Sequence, residues 1–327
     1  QKVFGKGLTE LGDTDPRIVA LTAGMRDGTS TDLFEASHPN RFFDVGIAEG
    51  HGVTFAAGLA TEGIRPVVAI YSTFLQRGYD GIVHDVALQN LPVVFAMDRA
   101  GVAGADGPTH HGIFDINYMI SVPGMAVTAP KDGAEMLGLL RLAVDHLDGP
   151  FSIRWPRDSV PRAVPHISEV PEVPFGSWET LRDGGDVAIL AVGTMVLEAE
   201  KAAEALASEG IEAQVVNCRF MKPYDGAMLR EILTGHDRIL TVEEGAVVNG
   251  FGAFLARELE EIPEAEGIRL RSMGIPDRFV VHGSRDVLLR EIDLDAQGIA
   301  DRVRLLLGSP GREARSRDSR SAARETA

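Results

Sequence analysis

The chain has 327 residues, enough for two domains of about 150 residues each, and 44% hydrophobic against 24% charged residues makes it ordinary core-forming material. A net charge of −16 excludes nucleic acid and anionic membrane surfaces as main partners, because a polyanion would be repelled. The single cysteine, Cys218, excludes an internal disulfide framework and fits a reducing, cytoplasmic setting, and no apolar run approaches the roughly 20 residues that a membrane span needs.

Short apolar runs alternate with helical patterns from position 17 onward. RIVALTA (17–23), RFFDV (41–45), PVVAIY (66–71), PVVFAMD (92–98), MAVTA (125–129) and FSIRW (151–155) read as strands. They are apolar and β-branched throughout rather than alternating, the pattern of strands covered on both faces. Helical patterns fill 48–61, 73–89, 114–121 and 132–145. Five prolines then fall within 19 residues, at Pro156, Pro161, Pro165, Pro171 and Pro174, a density that breaks helix and ladder alike. The rhythm resumes with strands at 186–193, 212–220, 238–244 and 268–274 and helices at 195–208, 226–233, 252–261, 284–291 and 295–307. The fold class is α/β: two parallel-sheet, three-layer domains over 1–157 and 176–308, a proline-rich linker over 158–175, and a disordered tail over 309–327.

Three segments carry chemistry. In DVGIAEGHGVTFAAGLA (44–60) a strand ends and a small-residue helix opens with Glu49 in its first turn. A glutamate there suits the helix dipole without any function. However, the helix is apolar and starts at the C-terminal edge of a parallel strand, where α/β sheets bind ligands. A carboxylate held there could share a proton with a ligand nitrogen. In the second segment (68–112), Tyr71, Phe74, Arg77 and Tyr79 cluster after a strand, and the glycine-rich run 101–107 leads to Asp106, Thr109, His110 and His111, with Arg99 just before it. Aromatics at such a junction are often core, and the glycines lack the lysine of a P-loop, so each alone is weak. Acid, base and cation together look like a site, and no third or fourth ligand has metal spacing. In the third, SIRWPRD (152–158), Arg154 and Arg157 are either a phosphate grip or surface arginines with acidic neighbours.

Taken together, AEGHGVTFAAGLATEG, RPVVAIYSTFLQRGYDGIVHDVALQNLPVVFAMDRAGVAGADGPTHHG and GPFSIRWPRD resemble the 1-deoxy-D-xylulose-5-phosphate synthases of the transketolase superfamily. The likeness extends through MRDG (25–28), RFMKPYD (219–225), LTVEEGAVVNGFGA (240–253) and GIPDRFVVHG (274–283). It implies a pyrimidine-binding domain of the thiamine-diphosphate type followed by a transketolase C-terminal domain. It further implies a transferase that condenses pyruvate with D-glyceraldehyde 3-phosphate, releasing carbon dioxide. On this resemblance Glu49 contacts the aminopyrimidine and relays its proton, Phe74 stacks on that ring, and Ile47 belongs to the cofactor pocket. Tyr71, Arg99 and Arg157 hold the acceptor's phosphate, with Arg77 and Asp106 in the same pocket, and His110 serves proton transfer. Glu49-Gly50-His51 departs from the family's Glu-Gln-His, and Trp155 replaces a tyrosine.

Such enzymes hold the cofactor's diphosphate through Mg²⁺ with a Gly-Asp-Gly motif and a later Asn. The nearest strings, 183–186 and 105–107, do not fit it. The expectation is therefore that thiamine diphosphate and Mg²⁺ are completed by a diphosphate-binding domain, in the same polypeptide or in another, within a homodimer or hetero-oligomer. The alternatives are a transketolase C-terminal subunit, a 2-oxoacid dehydrogenase β-like subunit, and a non-catalytic interaction module.

Overall fold

The computed structural model describes residues 1–160 and 163–308. The tail expected over 309–327 lies outside the described residues, as do two positions of the expected linker.

Seven strands form the first sheet: β1 (Ile18–Thr22), β2 (Phe42–Asp44), β3 (Arg65–Tyr71), β4 (Val94–Asp98), β5 (Ala126–Thr128), β6 (Phe151–Arg154) and, from much later in the chain, β10 (Phe220–Lys222). The second sheet holds β7 (Glu179–Arg182), β8 (Val187–Ala191), β9 (Ala213–Asn217), β11 (Arg238–Ala246) and β12 (Arg269–Ile275). Their orders are β10-β5-β6-β4-β3-β1-β2 and β12-β11-β8-β9-β7. All residues of β1, β4 and β8 are buried, as expected of parallel strands covered on both faces. β2 departs from this: it is an edge strand, and Phe43 and Asp44 are exposed.

Each sheet is parallel except for one antiparallel edge strand, β10 on β5 and β7 on β9. The run 212–220, read as one strand, is two. β9 ends at Asn217, and the chain then crosses to pair Phe220 with Thr128 in the first sheet. The Lys222 amine donates to the carbonyls of Ile120 and Val122 at 2.8 and 2.7 Å, tying that edge down. The second half of the chain thus completes the first sheet.

Two further differences bear on the site. Lys2–Thr14 is a helix that the strand-by-strand reading passed over, although Phe4, Leu8 and Leu11 recur at helical spacing and are buried. The helix expected over 73–89 is broken into an α-turn (Ser72–Leu75), a 3-10 turn (Gln76–Gly78), a further turn (Tyr79–Gly81) and a π-helical stretch (Ile82–Ala87). Gly78 and Gly81 are poor helix formers within it, and π segments gather where side chains must be re-aimed for function.

Candidate active site

Five neighbouring parallel strands, in the order β2-β1-β3-β4-β6, release their chains at one edge of the first sheet. Ligands bind at this edge in open α/β sheets. Ile47 and Glu49 follow β2, Tyr71 ends β3 with Phe74 and Arg77 just beyond, Arg99 and the 101–112 loop follow β4, and Arg157 follows β6.

Glu49 begins the helix Glu49–Thr61, and its side chain is only 4% exposed. Val53, Ala56, Ala57 and Ala60 bury the helix behind it. Arg77 Nη1 donates to Glu49 Oε1 at 2.6 Å. The Arg77 guanidinium also lies over the Phe74 ring, 4.9 Å from its centroid. Phe74 in turn stacks on Tyr71 at 5.8 Å and meets the His110 ring edge-on at 5.2 Å. Ile47, exposed, stands in the turn before Glu49.

On the other side, the Arg99 guanidinium sits 3.9 Å from the Tyr71 ring centroid and donates to the Gly28 carbonyl at 2.7 Å. Asp98, fully buried, receives the Arg99 backbone N–H at 2.6 Å and its guanidinium at 3.1 Å. Burial pushes the Asp98 carboxyl above the usual carboxylate range, with Arg99 opposing. Arg99 adopts φ +57, a left-handed conformation uncommon for a large side chain and of the kind that clusters at functional sites. Burial likewise raises the Tyr71 hydroxyl, while the Arg99 and Arg157 charges pull it down.

Arg157 Nη1 donates to Asp106 Oδ2 at 2.7 Å, and both side chains are substantially exposed. The structure therefore links Glu49, Arg77, Phe74, Tyr71, His110 and Arg99 through successive contacts. Arg157 and Asp106 pair with each other within electrostatic reach of Tyr71.

Two adjacent pairs separate. His110, with Thr109 Oγ1 2.9 Å from its Nδ1, faces Phe74, whereas His111 is buried among backbone groups. Arg154 is buried, donating to Asp115 Oδ2 at 2.8 Å and to the Glu244 carbonyl at 2.9 Å, so of the two arginines only Arg157 has an exposed guanidinium. Sequence reasoning missed Gly28 as a part of the site. A Cβ there would overlap the Tyr71 hydroxyl, and its carbonyl anchors Arg99. Its only sign in the sequence was its place in MRDG (25–28).

Among the described residues no three His, Cys, Asp or Glu side chains are grouped to hold a metal, and no helix is long and apolar enough to cross a membrane.

The chain matches the family model of the transketolase pyrimidine binding domain over residues 1–162 and that of the transketolase C-terminal domain over 176–299. A 1-deoxy-D-xylulose-5-phosphate synthase of Aquifex aeolicus is 51% identical over 308 residues, 92% of this chain and 47% of that protein. A 1-deoxy-D-xylulose-5-phosphate synthase of Geobacter sulfurreducens is 50% identical over 309 residues, 94% of this chain and 48% of that protein. The chain therefore spans about half the length of the curated relatives it matches. Among solved structures, a split-gene transketolase described as an inactive β4 tetramer superposes with a TM-score of 0.82 at 32% identity, covering 95% of this chain and 98% of that one. A transketolase of Pichia stipitis, 19% identical, shares the fold with a TM-score of 0.74 over 96% of this chain and 47% of its own.

Proposed function

The chain belongs to the transketolase family, with 1-deoxy-D-xylulose-5-phosphate synthases as its sequence relatives, and from that premise we propose that it supplies the pyrimidine-side half of a thiamine-diphosphate site that joins pyruvate to D-glyceraldehyde 3-phosphate with loss of carbon dioxide. One observation carries the reading. A buried carboxylate, Glu49, stands beside an aromatic platform, Phe74, at the ligand-binding edge of the sheet, within one contact chain of the Arg99–Tyr71 cation pocket.

These residues fit half of the cofactor. Phe74 offers an apolar ring against which a pyrimidine can lie, and the exposed Ile47 side chain offers apolar support nearby. Glu49, shielded from water and bonded to Arg77 through Oε1, has its second oxygen left to hold a proton at a ring nitrogen. Thiamine diphosphate, held at its pyrimidine end by Glu49 and Phe74, would supply a carbon nucleophile and an electron sink for the decarboxylation of a 2-oxoacid. Its diphosphate and Mg²⁺ belong to a diphosphate-binding domain outside this chain, in cis or in trans, in a dimer or larger assembly.

Arg99 and Arg157 are the grip for the acceptor's phosphate, with Tyr71, whose ring lies under the Arg99 guanidinium, beside them. Planar guanidinium forks suit a phosphate better than a point charge does. Asp106 occupies Arg157 until a phosphate competes for it. His110, edge-on to Phe74, is the group positioned to exchange a proton at the reacting carbonyl. We divide the chain into a pyrimidine-binding domain over 1–157 and a C-terminal domain over 176–308, joined by the proline-rich stretch between them. The lone buried Cys218 suits a reducing cytoplasm.

The test is reconstitution. Mixing the chain with a diphosphate-binding partner, thiamine diphosphate, Mg²⁺, pyruvate and glyceraldehyde 3-phosphate should release carbon dioxide, and no release from a correctly folded pair overturns the synthase reading. The full-length likeness to a split-gene transketolase favours one alternative, a ketol-transferring subunit. That reading would be supported by transfer from a ketose phosphate with no decarboxylation of pyruvate.

A further inference from the structure

The loop 101–112 bears Asp106 and His110, yet its root is held by groups from the second sheet. Glu244, on β11 and only 3% exposed, accepts the Val102 N–H at 2.8 Å through Oε1. Gly101 passes directly over that carboxylate at φ +73, where a Cβ would overlap it. The His111 ring adds a second tether. Its Nδ1 accepts from Ala103 N at 2.9 Å, so the Nε2, 3.2 Å from the Val281 carbonyl, is the nitrogen that donates. A backbone bond from Gly283 N to the Gly104 carbonyl lies alongside at 3.4 Å.

The other carboxylate oxygen of Glu244 is held by Arg285, whose Nη1 also donates to Asp158 Oδ2 at 3.1 Å. Asp158 follows Arg157, and Arg157 closes the circuit on Asp106 at 2.7 Å. One guanidinium, its side chain 13% exposed, therefore joins the root of the loop to the exit of β6. These are the two segments whose side chains meet in the Arg157–Asp106 pair.

We propose that Glu244 and Arg285 are positioning residues for the acceptor site. From the C-terminal half they hold the loop and the 155–158 segment in one register, so that Asp106, His110 and Arg157 converge, and neither touches substrate. The loop's own backbone bonds, among them the Gly101–Gly112 pair at 2.7 and 2.9 Å, close it on itself, whereas its placement against the 155–158 segment comes from Glu244 and Arg285. The planar fork of Arg285 can bond two carboxylates at once, a geometry that lysine does not reproduce. This role rests on the synthase reading, whereas the tether itself does not.

The experiment has two arms. In the full chain, Arg285→Gln and Glu244→Gln should each speed amide hydrogen exchange at Val102 and Ala103 about tenfold, the factor associated with losing one charge-assisted hydrogen bond, while the β4 amides keep their protection. Arg285→Lys should restore the slower exchange only in part. In the assembled enzyme, both Gln variants should raise the KM for the phosphorylated aldehyde and leave that for pyruvate unchanged. Unaltered exchange at Val102 and Ala103 overturns the tether, and an equal rise in both KM values overturns the positioning role. If Arg285→Gln also exposes β4 through misfolding, the near-isosteric Glu244→Gln decides the matter. A parent assembly that does not condense the substrates counts against the synthase reading alone, because the exchange arm needs no turnover.

Discussion

Arg77 donates to Glu49 at 2.6 Å across 28 positions of chain, pairing a carboxylate that is 4% exposed with a guanidinium that is 55% exposed. The buried partner is anchored in the apolar helix, and the solvated one comes from the cleft. The ion pair therefore lies at the boundary of the site, with its carboxylate screened from water and its guanidinium half in it.

Glu49→Gln keeps the shape and the acceptor for Arg77 but removes the proton-holding group. Turnover in the assembled enzyme should fall by about 10² or more, while the melting temperature of the chain stays near that of the parent, because the stranded Arg77 charge is largely solvated. Carbon dioxide release beside a thermal melt checks both, and near-normal turnover would remove Glu49 from its role.

Arg157→Ala leaves Asp106 without its partner in an exposed setting, so stability should change by no more than about 0.5 kcal/mol. The KM for the phosphorylated aldehyde should rise by roughly tenfold or more, the loss expected for a charge-assisted contact. Initial rates measured against each substrate separately would decide it, and equal effects on pyruvate would count against a phosphate grip.

Gly28→Ala drives a methyl into the Tyr71 hydroxyl. The ring must move, and Arg99 loses the face it rests on, so the chain should be destabilised by about 1–3 kcal/mol, as in overpacking elsewhere, with weakened aldehyde-phosphate binding. Gly58→Ala is the contrast. It lies in the helix Glu49–Thr61 with nothing near a new Cβ, and should stabilise by up to about 1 kcal/mol. Urea melts of the two variants test the pair.

Glu243 is buried on β11 with its carboxyl pushed up to about 7 by burial, against N–H bonds from Phe251 at 2.8 Å and Gly252 at 2.9 Å and the charge of Arg154. The folded carboxyl keeps its proton where the unfolded one, near 4.5, has lost it. Its contribution is therefore complete below pH 4.5 and declines as the pH rises through about 7, by roughly 3 kcal/mol in all. Glu243→Gln should flatten that decline in denaturant midpoints between pH 5 and 8. Parallel curves for parent and variant would show that another group is responsible.

The parallel strands of the first sheet were legible because continuous apolar runs such as the Val94–Met97 part of β4 encode burial on both faces within a few residues. The broken stretch 72–87 was not, since its apolar spacing fits a helix, and the turns are set by what packs around Gly78 and Gly81. Nor was β10 legible, because crossing to the other sheet is a matter of partner choice, and Phe220 reads as a strand residue beside either.

The site divides in the same way. Residue types and their order along the strands were determined by sequence alone: Glu49 opening a small-residue helix, aromatics and Arg77 at and after the end of β3, a glycine loop after Arg99, and Arg154 and Arg157 at and just past the end of β6. Tertiary structure decided which neighbour does what. His110 faces Phe74 while His111 is buried, Arg157 is exposed and paired with Asp106 while Arg154 is locked on Asp115, and Glu244 reaches the loop from 142 positions away. Burial periodicity is written in a few consecutive residues, whereas the partner of a charge or a ring nitrogen depends on segments that meet only when two sheets have packed.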